Sequence, residues 1–409
     1  MDPLRNPYAP GAGTPPPELS GRHDLLEQTR IALGRIRLRR HAKSFIAVGL
    51  RGVGKTVLLR EAVRLARADG FQVCFIEAHE HKRLAELLVP SLRAVLLDLD
   101  RLGRLSADVK RGLRVLKSFL SSIKLTYGDA ELALDIDPEP GVADTGDLDI
   151  DLADLLSAVG RAAAARDSQI VVIVDELQYL NARDFGSLIM AMHRCVQEQL
   201  PVLLIAAGLP HLVGLAGQAK SYAERMFDFP ELGALSRTDS DRALLAPAQA
   251  QDVDITPEAL GEIYETTRGY PYFLQEWAYH AWNCADGSVI DRADVVAAAK
   301  KVERQLDASF FRVRFDRLTH REKTYLRAMA SLRGPSVTAS EIAFVLGTKT
   351  QSLAPMRGGL ITKGMIYAPN RGGTAFTVPM FDDYLRRAMP DWVPPTAKGD
   401  PVSKSEVAI

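Results

Sequence analysis

The chain has 409 residues, with 51 Lys and Arg against 51 Asp and Glu, and 47% of it is hydrophobic. At roughly 100–200 residues per domain, that length predicts two or three domains, each able to bury a sizeable core. A net charge of zero excludes a uniformly basic nucleic-acid coat, so only local patches bear on nucleic acid.

Residues 1–20 carry prolines at 3, 7, 10, 15, 16 and 17, which predicts an extended arm and not a packed element. Ser20-Gly21-Arg22 then opens a helix expected to run to about Arg40. Arg35, Arg37, Arg39, Arg40 and Lys43 form a basic run, which reads first as a solvated helix end and second as a nucleic-acid contact.

Phe45 to Val48 is a short apolar run of strand character. Gly49, Gly54, Lys55 and Thr56 follow it as G-x-x-x-x-G-K-[ST], and Val57, Leu58, Leu59, Ala62, Val63 and Ala66 recur at helical spacing. Strand, glycine-rich turn and helix are the context of a phosphate-binding loop. Its glycines let backbone N–H groups turn inward, and the helix N-terminus adds partial positive charge. The loop residues assigned to the ligand are Gly49, Arg51, Gly52, Val53, Gly54, Lys55, Thr56 and Val57. In this pattern Lys55 reaches the β- and γ-phosphates and the Thr56 hydroxyl ligates Mg²⁺. The proline-rich arm then has two readings, a linker or a cover folded over a nucleotide base beside the loop.

Phe71 to Glu77 reads as a second strand and residues 82–120 as helical. Ile123 to Tyr127 and Ala130 to Ile136 flank Gly128-Asp129 as a hairpin. From Asp129 to Asp154 there are ten acidic residues and no Lys or Arg, so an exposed insertion or protein contact is expected, not a DNA-facing hairpin. Ile170 to Val174 is a β-branched run suited to a strand buried on both faces, and it ends in Asp175-Glu176. Acidic residues at a strand's carboxyl end sit where open α/β sheets bind ligands. Asp175 is assigned to Mg²⁺, and Glu176 to accepting a proton from an attacking water. Pro201 to Ala207 is a further strand. The longest apolar stretch, Pro201 to Gly217, is broken by Gly208, Pro210, His211 and Gly214, so no membrane span is expected. Cys74, Cys195 and Cys284 lack metal-like spacing and lie in apolar segments. Buried free thiols are expected, and with no signal-peptide layout a cytoplasmic location.

Thr256-Pro257 starts a helix, and the region 231–305 reads as a helical lid containing Gly269-Tyr270-Pro271. Thr319 to Glu322 and Thr338 to Glu341 are capping boxes. A third helix is expected near Ser352 to Lys363, with Pro355 in its first turn, followed by a ribbon of Met365 to Ala368 and Thr374 to Val378. Three helices and a ribbon predict a winged helix over 306–389, with thirteen Lys and Arg against five Asp and Glu from Arg312 to Arg387. Lys349, Arg357, Lys363 and Arg371 are its candidate phosphate contacts, and 390–409 reads as a disordered tail.

The order of parts over about 20–390 resembles the AAA+ and signal-transduction (STAND-like) P-loop ATPases, near the origin-recognition-type initiators, and bacterial ATP-binding proteins of that kind. Residues 49–56 look like Walker A, 170–176 like Walker B, and Gly269-Tyr270-Pro271 like the lid motif whose proline packs on adenine. The resemblance implies an α/β fold with a P-loop NTPase parallel sheet in 21–230 (insertion about 98–150), a helical lid and a C-terminal winged helix. It also implies ATP and Mg²⁺ as cofactors, Pro271 against the base, and Arg225 as an arginine finger acting on a neighbouring subunit; for Arg225 a structural salt bridge is the competing reading. The sensor-1 position reads Ala206-Ala207-Gly208, where the family carries Asn, Thr or Ser, so hydrolysis is expected to be slow and assembly-dependent.

Two outputs remain open from the sequence. One is an ATPase switch that assembles on or regulates double-stranded DNA. The other is a signal-transduction ATPase whose winged helix docks a protein partner. A small-molecule kinase has no evident acceptor site and is set aside.

Overall fold

The computed structural model describes residues 1–11, 13–101, 107–123, 136–332, 334–369 and 372–395. The chain divides into two compact units. One is residues 7–251 with 267–275; the other is residues 1–6, 252–266 and the described residues from 276 on. The expected lid, 231–305, is thereby divided between them.

The first unit is built on a parallel sheet of β1 (Ser44–Gly49), β2 (Gln72–Glu77), β3 (Ile170–Asp175), β4 (Val202–Gly208), β5 (Phe227–Asp228) and β6 (Glu231–Leu232). The order is β2-β3-β4-β1-β5, with β6 also on β1. Every residue of β1, β3 and β4 is buried, which explains their continuous apolar runs. Register is parallel throughout, with Cys74 beside Val172 and Phe45 beside Ile205. Chain order and sheet order part company at β1, which lies between β4 and β5. A sheet wound this way opens a crevice at its carboxyl edge, and both the glycine loop and Asp175 emerge there.

Helices α1 (His23–Arg37), α2 (Lys55–Ala68), α3 (Leu84–Arg101), α4 (Ala107–Ser122), α5 (Leu148–Ala164), α6 (Ala182–Gln197), α7 (Leu212–Ala219), α8 (Ala223–Met226) and α9 (Arg237–Gln249) belong to this unit. The helical stretch expected over 82–120 is two helices, α3 and α4. The expected hairpin falls largely on 124–135, outside the described residues. Of the acidic stretch, residues 129–135 lie outside the described residues and Asp137, Asp144 and Asp147 are exposed as expected, whereas the acids at its end are tied into the unit. Asp151 is fully buried and accepts from Ser122 Oγ at 3.1 Å, Thr145 N at 3.0 Å, Thr145 Oγ1 at 2.8 Å and Gly146 N at 2.9 Å. Asp154 pairs with Arg194 at 2.5 Å, and Asp149 with Lys220 at 3.1 Å. Buried carboxylates need such partners, and composition cannot announce them. Beside them Val109, Val115, Leu116 and Phe119 of α4 join the unit's core.

The proline-rich arm is packed as well. Tyr8 is buried, with its hydroxyl donating to Leu244 O at 2.5 Å, and Ala9 N donates to Gln275 Oε1 at 3.4 Å. Burial pushes the Tyr8 phenol far above its ordinary range. In the other unit Trp282 Nε1 donates to Asp2 O at 3.0 Å. Cys74 and Cys195 are buried and Cys284 is half-buried, all free thiols.

Helices α10 (Pro257–Thr267) and α11 (Pro271–Trp282) run from one unit's residues into the other's. The second unit holds the parallel pair β7 (Asp254–Ile255) and β8 (Val289–Ile290), then α12 (Arg292–Gln305), α13 (Arg312–Asp316) and α14 (His320–Ser331). After these come β9 (Val337–Thr338), α15 (Ala339–Val345), α16 (Thr350–Thr362), β10 (Ile366–Tyr367), β11 (Gly373–Phe376) and α17 (Phe381–Ala388). The three expected helices and the ribbon are present, and β9 extends the ribbon to an antiparallel sheet β10-β11-β9. Both capping boxes form, Thr319 with Glu322 and Thr338 with Glu341. Helix α16 begins at Thr350, two residues early, so Pro355 sits in its second turn. Phe311, Phe381 and Tyr384 stack as the aromatic centre, Phe381 on Tyr384 at 5.7 Å. Of the expected tail, Trp392 lies over the Arg327 guanidinium at 5.0 Å, and 396–409 are outside the described residues.

Candidate nucleotide-binding site

Two glycines of the loop are dictated by geometry. A Cβ on Gly49 would stand 2.4 Å from Leu232 O, because β6 passes against the end of β1. Gly52 has φ +85°, and a Cβ there would meet Tyr270 Cε1 at 2.9 Å. Tyr270 is the middle residue of the Gly-Tyr-Pro motif, and the next residue but one, Tyr272, donates its N–H to Gly52 O at 3.3 Å. The motif therefore meets the loop directly. Arg268 and Gly269 make that turn possible with successive left-handed conformations, φ 53° and 70°, and Pro271 starts α11, half-buried.

Lys55, only 5% exposed, donates to Gly49 O at 3.0 Å and Leu50 O at 2.8 Å. Burial lowers its pKa to about 8, against the opposing pull of Glu176 and Asp175. Thr56 Oγ1 donates to Asp175 Oδ2 at 2.6 Å, and Asp175 is 1% exposed. Burial raises the Asp175 carboxyl above its ordinary range, with the Thr56 bond working the other way. Glu176 follows in a left-handed conformation, φ 52°, with its N–H on Asp175 Oδ1 at 2.8 Å. A non-glycine residue held there is locally strained.

Lys55, Thr56, Asp175 and Glu176 are thus brought together at the carboxyl edge, with Arg51 tied to Tyr179 Oη at 2.8 Å and Val53 buried beneath. Val57 lies half-buried in the first turn of α2. Arg225 is not brought to them. Strand β5 starts two residues after it and pairs with Ser44, at the amino end of β1. At about 3.3 Å per residue, the strand separates that level from the loop by roughly 16 Å. Arg225 is exposed and its side chain makes no ion pair or hydrogen bond among the described residues.

Three further residues complete the site: Arg22, which the sequence marked only as the entry to the first helix, and Tyr179 and Gln178, which it did not single out. Arg22 donates to Val53 O at 3.1 Å and Gly233 O at 2.7 Å, and desolvation lowers its pKa. Tyr179 holds Arg51. Gln178 donates to Glu176 and accepts from Leu209 N at 3.2 Å. For Gln178 and Tyr179 the only signal was proximity to Asp175-Glu176 in sequence.

Residues 18–205 match the family model of the AAA ATPase domain. This stretch is similar in sequence to AAA ATPase domains. It contains the glycine loop, strands β1 to β3, most of β4 and the Asp175-Glu176 pair described above. Residues 308–385 match a second model, a domain of unknown function (DUF8462). A Walker-type ATPase of Pyrococcus abyssi is 17% identical over 91% of this chain and 98% of its own, with a TM-score of 0.56, and shares the fold. Two further structures are similar at lower scores. Cdc6p of Pyrobaculum aerophilum is 16% identical over 96% of this chain and 98% of its own, TM-score 0.47. The RuvB Holliday junction branch migration motor of Thermotoga maritima is 15% identical over 90% and 95%, TM-score 0.44. No curated protein matches the chain in sequence. No described helix is long and apolar enough to cross a membrane.

The site fits the expected ATP and Mg²⁺ on chemical grounds. A buried ammonium donating to loop carbonyls is a donor set for phosphate oxygens. A hydroxyl and a carboxylate oxygen in contact are hard donors of the kind Mg²⁺ takes together with phosphates.

Proposed function

We propose that this protein is an ATP-driven switch that turns over slowly and signals through its C-terminal unit. The observation that carries the nucleotide half is the Thr56–Asp175 contact beside buried Lys55. In this reading the loop N–H groups and Lys55 bind the phosphates, and Thr56 and Asp175 would hold Mg²⁺, which would supply neutralising charge to the phosphate oxygens. The Glu176 carboxylate takes the proton of the attacking water. Pro271 and Tyr270 close the base side of the loop. Arg225, exposed at the opposite edge of the sheet and without a side-chain partner among the described residues, acts on a second subunit, so turnover depends on assembly.

For the output, the geometry supports a winged helix that docks a protein partner better than one that reads DNA. Two of its expected phosphate contacts are committed internally. Arg357 donates to Thr374 Oγ1 and Gly373 O, each at 2.9 Å, and Lys363 to Glu322 at 2.8 Å. Arg371 lies outside the described residues. The exposed positions of α16 include Thr350, Gln351, Ala354, Pro355 and Gly358, none charged, and Phe344 on α15 is 77% exposed. The surplus of basic residues over 312–387 suits a partner with an acidic rim. The DNA reading keeps that same surplus and exposed Lys349 in its favour.

Fluorescence anisotropy of the full chain on duplex DNA, with and without Mg-ATP, from low to physiological salt, separates the two. The protein-docking reading expects no binding, or weak binding lost by physiological salt. Tight, ATP-strengthened binding with a steep salt slope would overturn it in favour of DNA.

A further inference from the structure

Strand β4 ends at Gly208 with no side chain to offer the site, and the space beside it is already filled. A Cβ on Gly208 would stand 2.7 Å from Gln178 Oε1 and 2.3 Å from Leu212 Cδ1. The occupant is the Gln178 amide. Its oxygen accepts from Leu209 N at 3.2 Å, which fixes which way the amide faces, because a backbone N–H can only donate. The amide nitrogen then faces Glu176 and donates to Oε2. An amide nitrogen carries two hydrogens. The second has no acceptor among the described residues, and Gln178 is half-buried at the mouth of the carboxyl edge.

Gln178 is held on one side by the backbone at the end of β4, and on the other it holds the carboxylate at the end of β3. Glu176 itself stands in a left-handed conformation, so its side-chain direction depends on whatever restrains its tip. We propose that Gln178 is the positioning residue for hydrolysis: it aims the Glu176 carboxylate and presents its free N–H to the water that Glu176 deprotonates. The role rests on the reading of Glu176 as the base. It also explains how an apolar β4 end, Ala206-Ala207-Gly208, is compatible with turnover, because the polar group comes from the neighbouring strand's exit instead.

The test uses the full-length protein with two variants. Gln178→Met keeps the length and removes every polar atom. Gln178→Glu keeps an acceptor for Leu209 N and removes both donors. Mg-ATP affinity, steady-state turnover and apo melting temperature are measured for each, and for Glu176→Gln alone and combined with Gln178→Met. Expected are affinities within about twofold of wild type, turnover lowered by about 10²-fold or more, and a double variant no slower than Glu176→Gln alone, since the two residues act as one unit. A structural role would instead move melting and affinity, and its effect would multiply with that of Glu176→Gln. Wild-type turnover in both variants, or a multiplicative double variant, overturns the proposal while leaving the nucleotide site standing. A wild type that neither binds nor hydrolyses ATP overturns both.

Discussion

Thr56 Oγ1 and Asp175 Oδ2 stand 2.6 Å apart, joining the first turn of α2 to the last residue of β3 across 119 positions of sequence. That contact makes the phosphate loop and the acidic strand end a single site, and it sets the first expectation. Mg-ATP should raise the melting temperature. At a hundredfold its dissociation constant a ligand adds about 2.7 kcal/mol, which for a domain of this size is roughly 5–10 °C. Lys55→Ala should abolish the shift. A wild type whose melting is unmoved by saturating Mg-ATP contradicts the nucleotide reading.

Glu176→Gln should retain Mg-ATP and lose turnover by about 10²-fold or more, because the amide keeps the shape and cannot accept the proton. Equilibrium binding of a fluorescent ATP analogue and a phosphate-release assay read the two quantities separately. Equal phosphate release by wild type and variant removes Glu176 from the chemistry.

Arg225, exposed at the amino edge of the sheet with no side-chain partner among the described residues, should work only between subunits. Arg225→Ala and Glu176→Gln should each be inactive alone. Mixed, they should recover part of the activity, since each supplies the half-site the other lacks. A mixture no faster than its components, at concentrations where the wild type is active, excludes that role.

The pKa of Lys55, lowered by burial to about 8, couples nucleotide binding to protons. Phosphate oxygens favour the charged ammonium, so above pH 8 the complex holds a proton that the free protein has released. Affinity for Mg-ATP should therefore fall as pH rises from about 8 towards 10.5, by at most tenfold per unit. Without nucleotide the sign reverses. The unfolded chain holds the extra proton in that window, so the burial penalty fades and stability from this group rises with pH. Calorimetric titrations in buffers of different ionisation enthalpy would count the proton, and proton uptake near zero at pH 9 would count against the assignment.

The nucleotide loop, the buried strand ending in Asp175-Glu176 and both capping boxes were legible in the sequence because each is local. A glycine turn, a β-branched run and an S/T-x-x-E box fix their own geometry within a few residues. What tertiary structure alone decided is everything that depends on pairing distant residues. Composition made the acidic stretch look like an exposed insertion or a protein contact, and Asp137, Asp144 and Asp147 are indeed exposed, yet Asp151 at its end is buried with four donors around it, which charge counting cannot show. Proline spacing made residues 1–20 look like a free arm, yet Tyr8 finds Leu244. Charge counting set Arg357 and Lys363 toward phosphate, yet each turns inward to a partner within its own unit. Gln178 shows the same limit inside the site. It lies two residues from Glu176 in sequence, and its place is set by Leu209 and the bare end of β4, which the parallel sheet brings alongside β3.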